Sequence, residues 1–309
     1  MQREEVDRIY RKILGPFPER VPLNIEIVSE EDCGEFTRAL LTWDNDARER
    51  VEGYLLRPAA PSGQHPAILA FHGHGNHYDT GKEETAGTPI PKGRNWCFGP
   101  DLARRGFVVL CGDALSFGKR ASDVPRWEGR IYERVVAMRL LAEGRCMAAQ
   151  YVWDAVRQCD VLATFDCVDP RRIGAIGLSM GSGHAWLAAA AEPRIRALVA
   201  MASFYTFDAL YRPAMRHCFL NYLPHVLEYG VETYDLFGLI APRPFLMING
   251  LDNPQSDPPA VTRELYEKAK PAWRAEDAAE AFQLLEHPEG HVPPAEVIQR
   301  GYAWLEKWL

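Results

Sequence analysis

The sequence lacks any long apolar run. The longest such stretches, for example Phe107–Cys111 and Ala185–Ala191, are much shorter than the roughly 20 residues that a membrane-spanning helix needs. Residues 1–14 are charged and amphipathic, without the apolar core of a secretory signal peptide. These absences predict a protein that is neither inserted into a membrane nor exported.

Paired cysteines and clustered basic residues are also missing. The seven cysteines form no C-x-x-C pair and their number is odd, which favours a reduced, cytoplasmic setting over a disulfide framework. Lysine and arginine are outnumbered by acidic residues, and the net charge of −7 argues against a nucleic-acid surface. No internal repeat or low-complexity tract is present. Nothing in the sequence determines the oligomeric state.

What remains is the composition of an ordinary globular enzyme. Hydrophobic residues make up 47% of the 309 residues and charged residues 25%, enough apolar material for a complete core. Three segments near the start read as strands of an antiparallel meander, with a turn at Asp44-Asn45-Asp46 between the last two. They are Leu23–Val28, Phe36–Trp43 and Arg50–Arg57.

From residue 66 onward, short apolar runs alternate with helical segments. Buried strands separated by helices are typical of a parallel sheet covered on both faces. We therefore predict an α/β fold in one domain, residues 1–309, with about eight mostly parallel strands and helices on both faces. The strands are Ala67–Phe71, Phe107–Cys111, Ile173–Leu178, Ala197–Met201, Phe245–Ile248 and Ala281–Leu285; the helices are 97–105, 131–144, 147–165, 180–191, 259–270 and 294–308.

Residues 203–241 interrupt this alternation. The segment is too long for a simple crossover and too rich in tyrosine and phenylalanine for a flexible linker. We interpret it as a cap insertion over the carboxyl ends of the strands, where ligands bind in open α/β sheets. The alternative is an extra helix packed on the side of the domain.

The strongest local motif is Gly177-Leu178-Ser179-Met180-Gly181, which matches G-x-S-x-G. It follows an apolar strand and precedes an alanine-rich helix, as a nucleophile elbow requires. Such a turn pushes the serine hydroxyl out of the sheet edge, and the helix amino terminus favours negative charge beside it. Ser179 is the predicted nucleophile.

The strand ending at Phe71 leads into His72-Gly73-His74-Gly75. We expect the backbone N–H groups of His74 and Met180 to form an oxyanion hole, and His72 to hold the loop by hydrogen bonds. A competing interpretation is a zinc site, because His72, His74 and His77 are spaced H-x-H-x-x-H, as in metallo-β-lactamase-like hydrolases. That motif has an aspartate where this chain has Asn76, and further ligands are not evident.

The acid and the base of a triad should follow later strands, in that order. Asp252 lies just beyond the strand at Phe245–Ile248 and is the predicted acid, with Asp257 on the same loop as its rival. His291 follows a glycine after the next predicted strand and is the predicted base. It is preferred to His287, which directly ends that strand.

These motifs together resemble the α/β-hydrolase superfamily over about residues 50–309, most of all its dienelactone-hydrolase-like and acetyl-xylan-esterase-like groups. The resemblance rests on residues 71–75, 112–120 and 177–181, on Ala241-Pro242-Arg243-Pro244, and on Glu289-Gly290-His291. It implies ester hydrolysis through an acyl-enzyme without a cofactor. Two departures stand out: dienelactone hydrolases use cysteine as nucleophile, and the common G-x-x-D pattern would put the acid at Asn253.

The leading hypothesis is therefore a cofactor-free serine carboxylesterase acting on a small-molecule ester with short acyl groups. A peptidase or amidase on the same triad is the alternative, because the fold does not determine the substrate. The zinc-dependent hydrolase is a further alternative. A ligand-binding protein with a degenerate hydrolase fold would lack a triad member, whereas here every position can be filled.

Overall fold

The protein was analysed as a computed structural model, which describes residues 1–60, 62–90, 95–122, 124, 129–211, 218–253 and 258–309. Its centre is a nine-stranded sheet in the order β1-β2-β3-β5-β4-β6-β7-β8-β9. The strands are β1 (Glu26–Asp32), β2 (Phe36–Asp44), β3 (Arg50–Pro58), β4 (His65–Phe71), β5 (Val108–Gly112), β6 (Val168–Leu178), β7 (Ile195–Met201), β8 (Phe245–Gly250) and β9 (Phe282–His287).

Helices precede, connect and follow the strands of the sheet. In the described ranges they are α1 (Arg3–Leu14), α2 (Lys82–Ala86), α3 (Phe98–Arg104), α4 (Gly129–Ala142), α5 (Met147–Leu162), α6 (Met180–Ala191), α7 (Phe207–Leu210), α8 (Val226–Tyr229), α9 (Thr233–Ile240), α10 (Pro259–Arg274) and α11 (Ala295–Trp308). None of these helices is both long enough and apolar enough to traverse a lipid bilayer.

Two apolar cores lie on opposite faces of the sheet. One joins side chains of α1, α5, α6, α9 and α10 to the sheet, and the other joins those of α3 and α11. Helix α6 is buried almost all round, as expected for the alanine-rich helix at the centre of such a sandwich. The predicted α/β class, with helices on both faces of a mostly parallel sheet, is confirmed.

The amino-terminal meander is also present. Strands β1, β2 and β3 pair antiparallel, and β3 pairs antiparallel with β5. From β5 through β9 all neighbouring strands run parallel. The carboxyl ends of β4, β6, β8 and β9 therefore meet at one edge, which is where the predicted site residues follow.

The bounds of several predicted elements needed correction, among them β6, which begins at Val168 rather than Ile173. The first strand begins at Glu26 rather than Leu23 and extends to Asp32, with every residue exposed. The sheet has nine strands, where about eight were predicted. Its pairing with β2 is made by the backbone, which side-chain patterns do not reveal. Helix α10 continues through Pro271 to Arg274, because buried Trp273 anchors the last turn by donating from Nε1 to the carbonyl of Arg243 at 3.0 Å.

The aromatic segment 203–241 contains several short elements, and residues 212–217 within it lie outside the described part. Helix α9 packs against α1, α6 and α10, on the side of the sheet. The turn Phe219–Asn221 instead contacts α4, α5 and α6, close to the start of the nucleophile helix. A cap function for this segment stays a proposal.

Candidate active site

Ser179 lies at the junction between β6 and α6. Its backbone has φ 60° and ψ −120°, a left-handed conformation that side chains rarely adopt. The Ser179 N–H donates to the carbonyl of Met201 at 2.8 Å, which ties the turn to the end of β7. The residue is half-buried, so its hydroxyl stands at the carboxyl edge of the sheet rather than inside the core.

The glycines of the motif are required by close backbone contacts. A Cβ added to Gly177 would lie 2.2 Å from the carbonyl oxygen of Gly181, and one added to Gly181 would lie 2.2 Å from that of Phe71. Both distances are well below van der Waals contact. The tight strand-to-helix turn and its approach to the end of β4 thus depend on these two residues lacking side chains.

The loop after β4, residues 72–75, passes directly beside this turn, and we call it the oxyanion loop. No hydrogen bond within the described part of the chain uses the backbone N–H of His74 or of Met180. Met180 is the first residue of α6, where N–H groups have no partner inside the helix. Both predicted donors are therefore available to an anion at this edge.

Two buried side chains hold the start of the oxyanion loop. His72 Nε2 accepts the N–H of Ala114 at 3.0 Å, and its Nδ1–H donates to the carbonyl of Gly73 at 2.8 Å. Burial lowers the pKa of His72 to about 4, so its ring is neutral at pH 7. Glu84 accepts the Gly73 N–H at 2.7 Å, and burial raises the pKa of Glu84 to about 7. The expected structural role of His72 is confirmed.

The His74 side chain contacts α4. Its Nε2 lies 3.1 Å from Glu133 Oε2, and the hydroxyl of Tyr78 donates to the same oxygen at 2.8 Å. Tyr78 stacks on Phe117, with ring centroids 4.9 Å apart. Burial and the Glu133 carboxylate raise the pKa of Tyr78, which keeps its phenol protonated as a donor.

The loops after β8 and β9 are packed together by their backbones. A Cβ on Gly250 would lie 2.0 Å from the carbonyl oxygen of Gly290. The N–H of Asp252 donates to the carbonyl of Glu289 at 3.1 Å. These contacts bring the predicted acid loop and the predicted base loop to one place, as the motif spacing required.

Among the described residues of these two loops, Asn253 lies beside His291 Nδ1. Its amide nitrogen lies 3.2 Å from that ring nitrogen, and the residue is buried. The side chain of Asp252 is exposed and makes no hydrogen bond or ion pair with His291 within the described residues. Asp257, the rival acid, lies outside the described residues.

Two of the three histidines of the alternative zinc motif are held by other partners. Both ring nitrogens of His72 are used within the protein, and His74 is engaged by Glu133. No three histidine, cysteine or carboxylate side chains converge as metal ligands in the part of the chain that the structure describes. The zinc interpretation therefore finds no support from the placement of its own residues.

Four residues at this edge were missed from sequence: Glu84, Glu133, Tyr78 and Asn253. The first three act on the oxyanion loop from separate elements, and no spacing rule connects them to it. For Asn253 a signal existed, because the G-x-x-D pattern of similar hydrolases places their acid at this position. His184, interpreted from sequence as a packed helix residue, is confirmed as such, since its ring stacks on Phe71 with centroids 3.8 Å apart.

Comparison with known families agrees with this geometry. A family model described as alpha/beta hydrolase fold matches residues 66–237, more than half of the chain. The chain belongs to the α/β-hydrolase family. Among curated proteins, "Putative hydrolase YtaP" of Bacillus subtilis (strain 168) is 28% identical over 315 residues, covering 100% of both chains.

Solved structures show the same fold at low identity. A glucuronoyl esterase from Solibacter usitatus superposes with a TM-score of 0.71 at 17% identity, covering 98% of this chain and 91% of that one. Acetyl xylan esterase 1 from Thermoanaerobacterium sp. JW/SL YS485 gives 0.65 at 18% identity, covering 99% and 94%. At such identities the likeness establishes the architecture alone.

Proposed function

We propose that this protein is a serine carboxylesterase that hydrolyses short-chain or acetyl esters through an acyl-enzyme. The observation that carries the proposal is the backbone of Ser179, whose strained left-handed conformation at the β6–α6 junction places this residue at the carboxyl edge of the sheet. Strained residues of this kind persist where function requires them. The fold relatives named as esterases support the choice of an ester substrate.

In the proposed reaction, Ser179 Oγ attacks the ester carbonyl while His291 accepts its proton. The N–H groups of His74 and Met180 stabilise the tetrahedral oxyanion. Collapse of this intermediate expels the alcohol, which takes the proton from His291. Water then attacks the acyl-enzyme with His291 again as base, and the carboxylic acid leaves. No cofactor takes part in these steps.

The third triad member is proposed on the loop after β8. The amide of an asparagine can present either its NH₂ group or its oxygen. If the Asn253 oxygen accepts a hydrogen bond from Nδ1–H of His291, the lone pair of the neutral ring is on Nε2, as a general base requires. The carboxylate that stabilises the imidazolium is then Asp252, after its side chain turns inward, or Asp257. The exposure of Asp252 gives the second candidate more weight than the sequence did.

The decisive test is hydrolysis of p-nitrophenyl acetate, butyrate and octanoate by purified protein. Replacing Ser179→Ala should lower kcat by more than about 1000-fold, because the nucleophile is lost. A fluorophosphonate probe should label the wild type and not this variant. Unchanged turnover by Ser179→Ala would refute the proposal.

Two further experiments refine the proposed function. Separate Asp252→Asn and Asp257→Asn variants identify the acid, because the true one should lose kcat by roughly 10⁴-fold while the other stays near wild type. Matched acetate ester and acetanilide substrates separate an esterase from an amidase. Faster cleavage of the anilide would favour the peptidase or amidase alternative.

A further inference from the structure

Glu133 is a buried carboxylate at the active-site edge that the triad does not use. It lies on α4, its side chain is 2% exposed, and within the described part of the chain its partners are His74 and Tyr78. Burying a carboxylate costs free energy unless donors compensate for the lost water. Both donors here come from the segment that begins with the oxyanion loop.

The hydrogen bonds of His74 define one state of its ring. The N–H of Asn76 donates to His74 Nδ1 at 3.1 Å, so this nitrogen carries the lone pair. The proton of the neutral ring must then be on Nε2, where it donates to Glu133. The ring is also packed edge-on against Tyr78 and Phe117, with centroids 5.2 and 5.0 Å away.

The same residue supplies a proposed oxyanion donor through its backbone N–H. The loop around it is not part of a helix or strand, and Gly75 and Asn76 have left-handed backbones with φ 51° and 58°. Its shape is therefore held mainly by side-chain contacts. Oxyanion donors act only within a few tenths of an ångström of their required position.

We propose that Glu133 is a positioning residue, which fixes His74 in its Nε2–H form and thereby holds the oxyanion loop in the geometry that transition-state binding requires. This inference rests on the proposed function. Glu133 touches neither substrate nor nucleophile in this role. It acts through His74, with Tyr78 as the second donor that keeps the carboxylate in place.

The test compares Glu133→Ala, Glu133→Gln and, as a control in the turn directly after the same helix, exposed Glu143→Gln. Glu133→Ala should lower kcat for p-nitrophenyl acetate about tenfold to hundredfold and leave KM within about threefold, because the loss concerns the transition state. Glu133→Gln keeps an acceptor oxygen and should recover most of the rate. Glu143→Gln should behave as wild type.

Two further readouts separate positioning from general stability. A short alkyl boronic acid, which forms a tetrahedral adduct with the nucleophile, should bind Glu133→Ala about tenfold more weakly than wild type. Nitrogen-15 spectra should show the Nε2–H form of His74 in the wild type and a mixture of tautomers in Glu133→Ala. If Glu133→Ala does not fold, His74→Phe removes the same hydrogen bond and keeps the backbone donor, with the same loss expected.

The proposal is overturned if folded Glu133→Ala keeps kcat within twofold, or if kcat falls only in proportion to the unfolded fraction. An unchanged His74 spectrum overturns it as well. Failure of the esterase proposal looks different: Ser179→Ala would then retain the wild-type rate. In that case the nitrogen-15 spectra still decide whether Glu133 controls His74.

Discussion

At the scale of single residues, the site depends on the atoms that are absent beside Ser179. Gly177 and Gly181 lie on either side of the nucleophile, and each faces a backbone carbonyl carbon or oxygen within 2.7 Å of where a Cβ would stand. Real side chains do not approach backbone atoms so closely. The position of the Ser179 hydroxyl relative to the oxyanion loop is therefore determined by these two glycines.

Gly181→Ala should abolish esterase activity and destabilise the fold, because its Cβ would displace the end of β4 and with it the oxyanion loop. The loss of kcat should exceed about 100-fold. Gly238→Ala in helix α9 is the matched control, since the nearest atom to its Cβ would be that of Ala272 at 3.7 Å, and a helical alanine should stabilise the fold by about 0.5–1 kcal/mol. Esterase assays measure kcat and urea unfolding measures stability for both variants. Wild-type activity in Gly181→Ala would contradict the proposed role of this glycine.

The sequence was informative about residues whose role follows from a local motif. Ser179 and the loop containing His74 stand where G-x-S-x-G and the strand order predict them. The roles of Glu133, Glu84 and Tyr78 could not be predicted, because their contacts with the oxyanion loop depend on how α2 and α4 pack beside it. The identity of the acid also depends on how a loop folds, and spacing alone does not determine that.

At the scale of elements, the parallel strands and large helices were predictable because each has a continuous apolar run. The bounds of β1 were not predictable, since this strand is fully exposed, and α2 was missed, since it is a five-residue helix that its neighbours bury. Ion pairs contribute to the packing of the elements near the site. Buried Arg120 donates to Asp154 on α5, to Glu49 in the β2–β3 turn and to the carbonyl of Asp113 after β5.

Arg120→Met should therefore destabilise the protein by about 3–5 kcal/mol, because it leaves the Asp154 carboxylate buried without its cation. The double variant with Asp154→Leu should regain part of this loss, since no charge is then stranded. Urea unfolding of both variants measures the effect. The ion pair of Arg8 with Glu5, exposed on both sides, provides a control, and Arg8→Met should unfold like wild type. A loss below about 1 kcal/mol in Arg120→Met would contradict this account.

At the scale of the whole molecule, buried titratable groups make stability depend on pH in opposing ways. Burial lowers the pKa of His72 to about 4 and that of His184 to about 3. Below about pH 6.5 these two imidazoles bind protons in the unfolded chain but stay neutral in the folded protein. The free energy of unfolding therefore falls as the pH falls. Glu84 has the opposite sign, because its folded carboxyl retains a proton that the unfolded chain releases.

Glu84→Gln isolates this opposing contribution. Between pH 4.5 and 7 the wild type should lose stability through Glu84 as the pH rises, whereas the glutamine does not titrate. The free energy of unfolding of the variant, relative to that of the wild type, should therefore rise by up to about 3 kcal/mol between pH 4.5 and 7. Urea unfolding at pH 5 and 7.5 measures the difference, with surface variant Glu19→Gln as the control for loss of one carboxylate. A difference that does not change with pH would rule the effect out.

The left-handed backbone of Ser179 also constrains how the chain can drift in evolution. Glycine adopts a φ of 60° without strain, whereas serine there costs about 1–3 kcal/mol. A lineage that kept the fold but no longer needed the reaction would gain stability by mutating Ser179 to glycine. Retention of serine in descendants would therefore mark continued selection for a reactive hydroxyl, and glycine would mark a fold kept for binding alone.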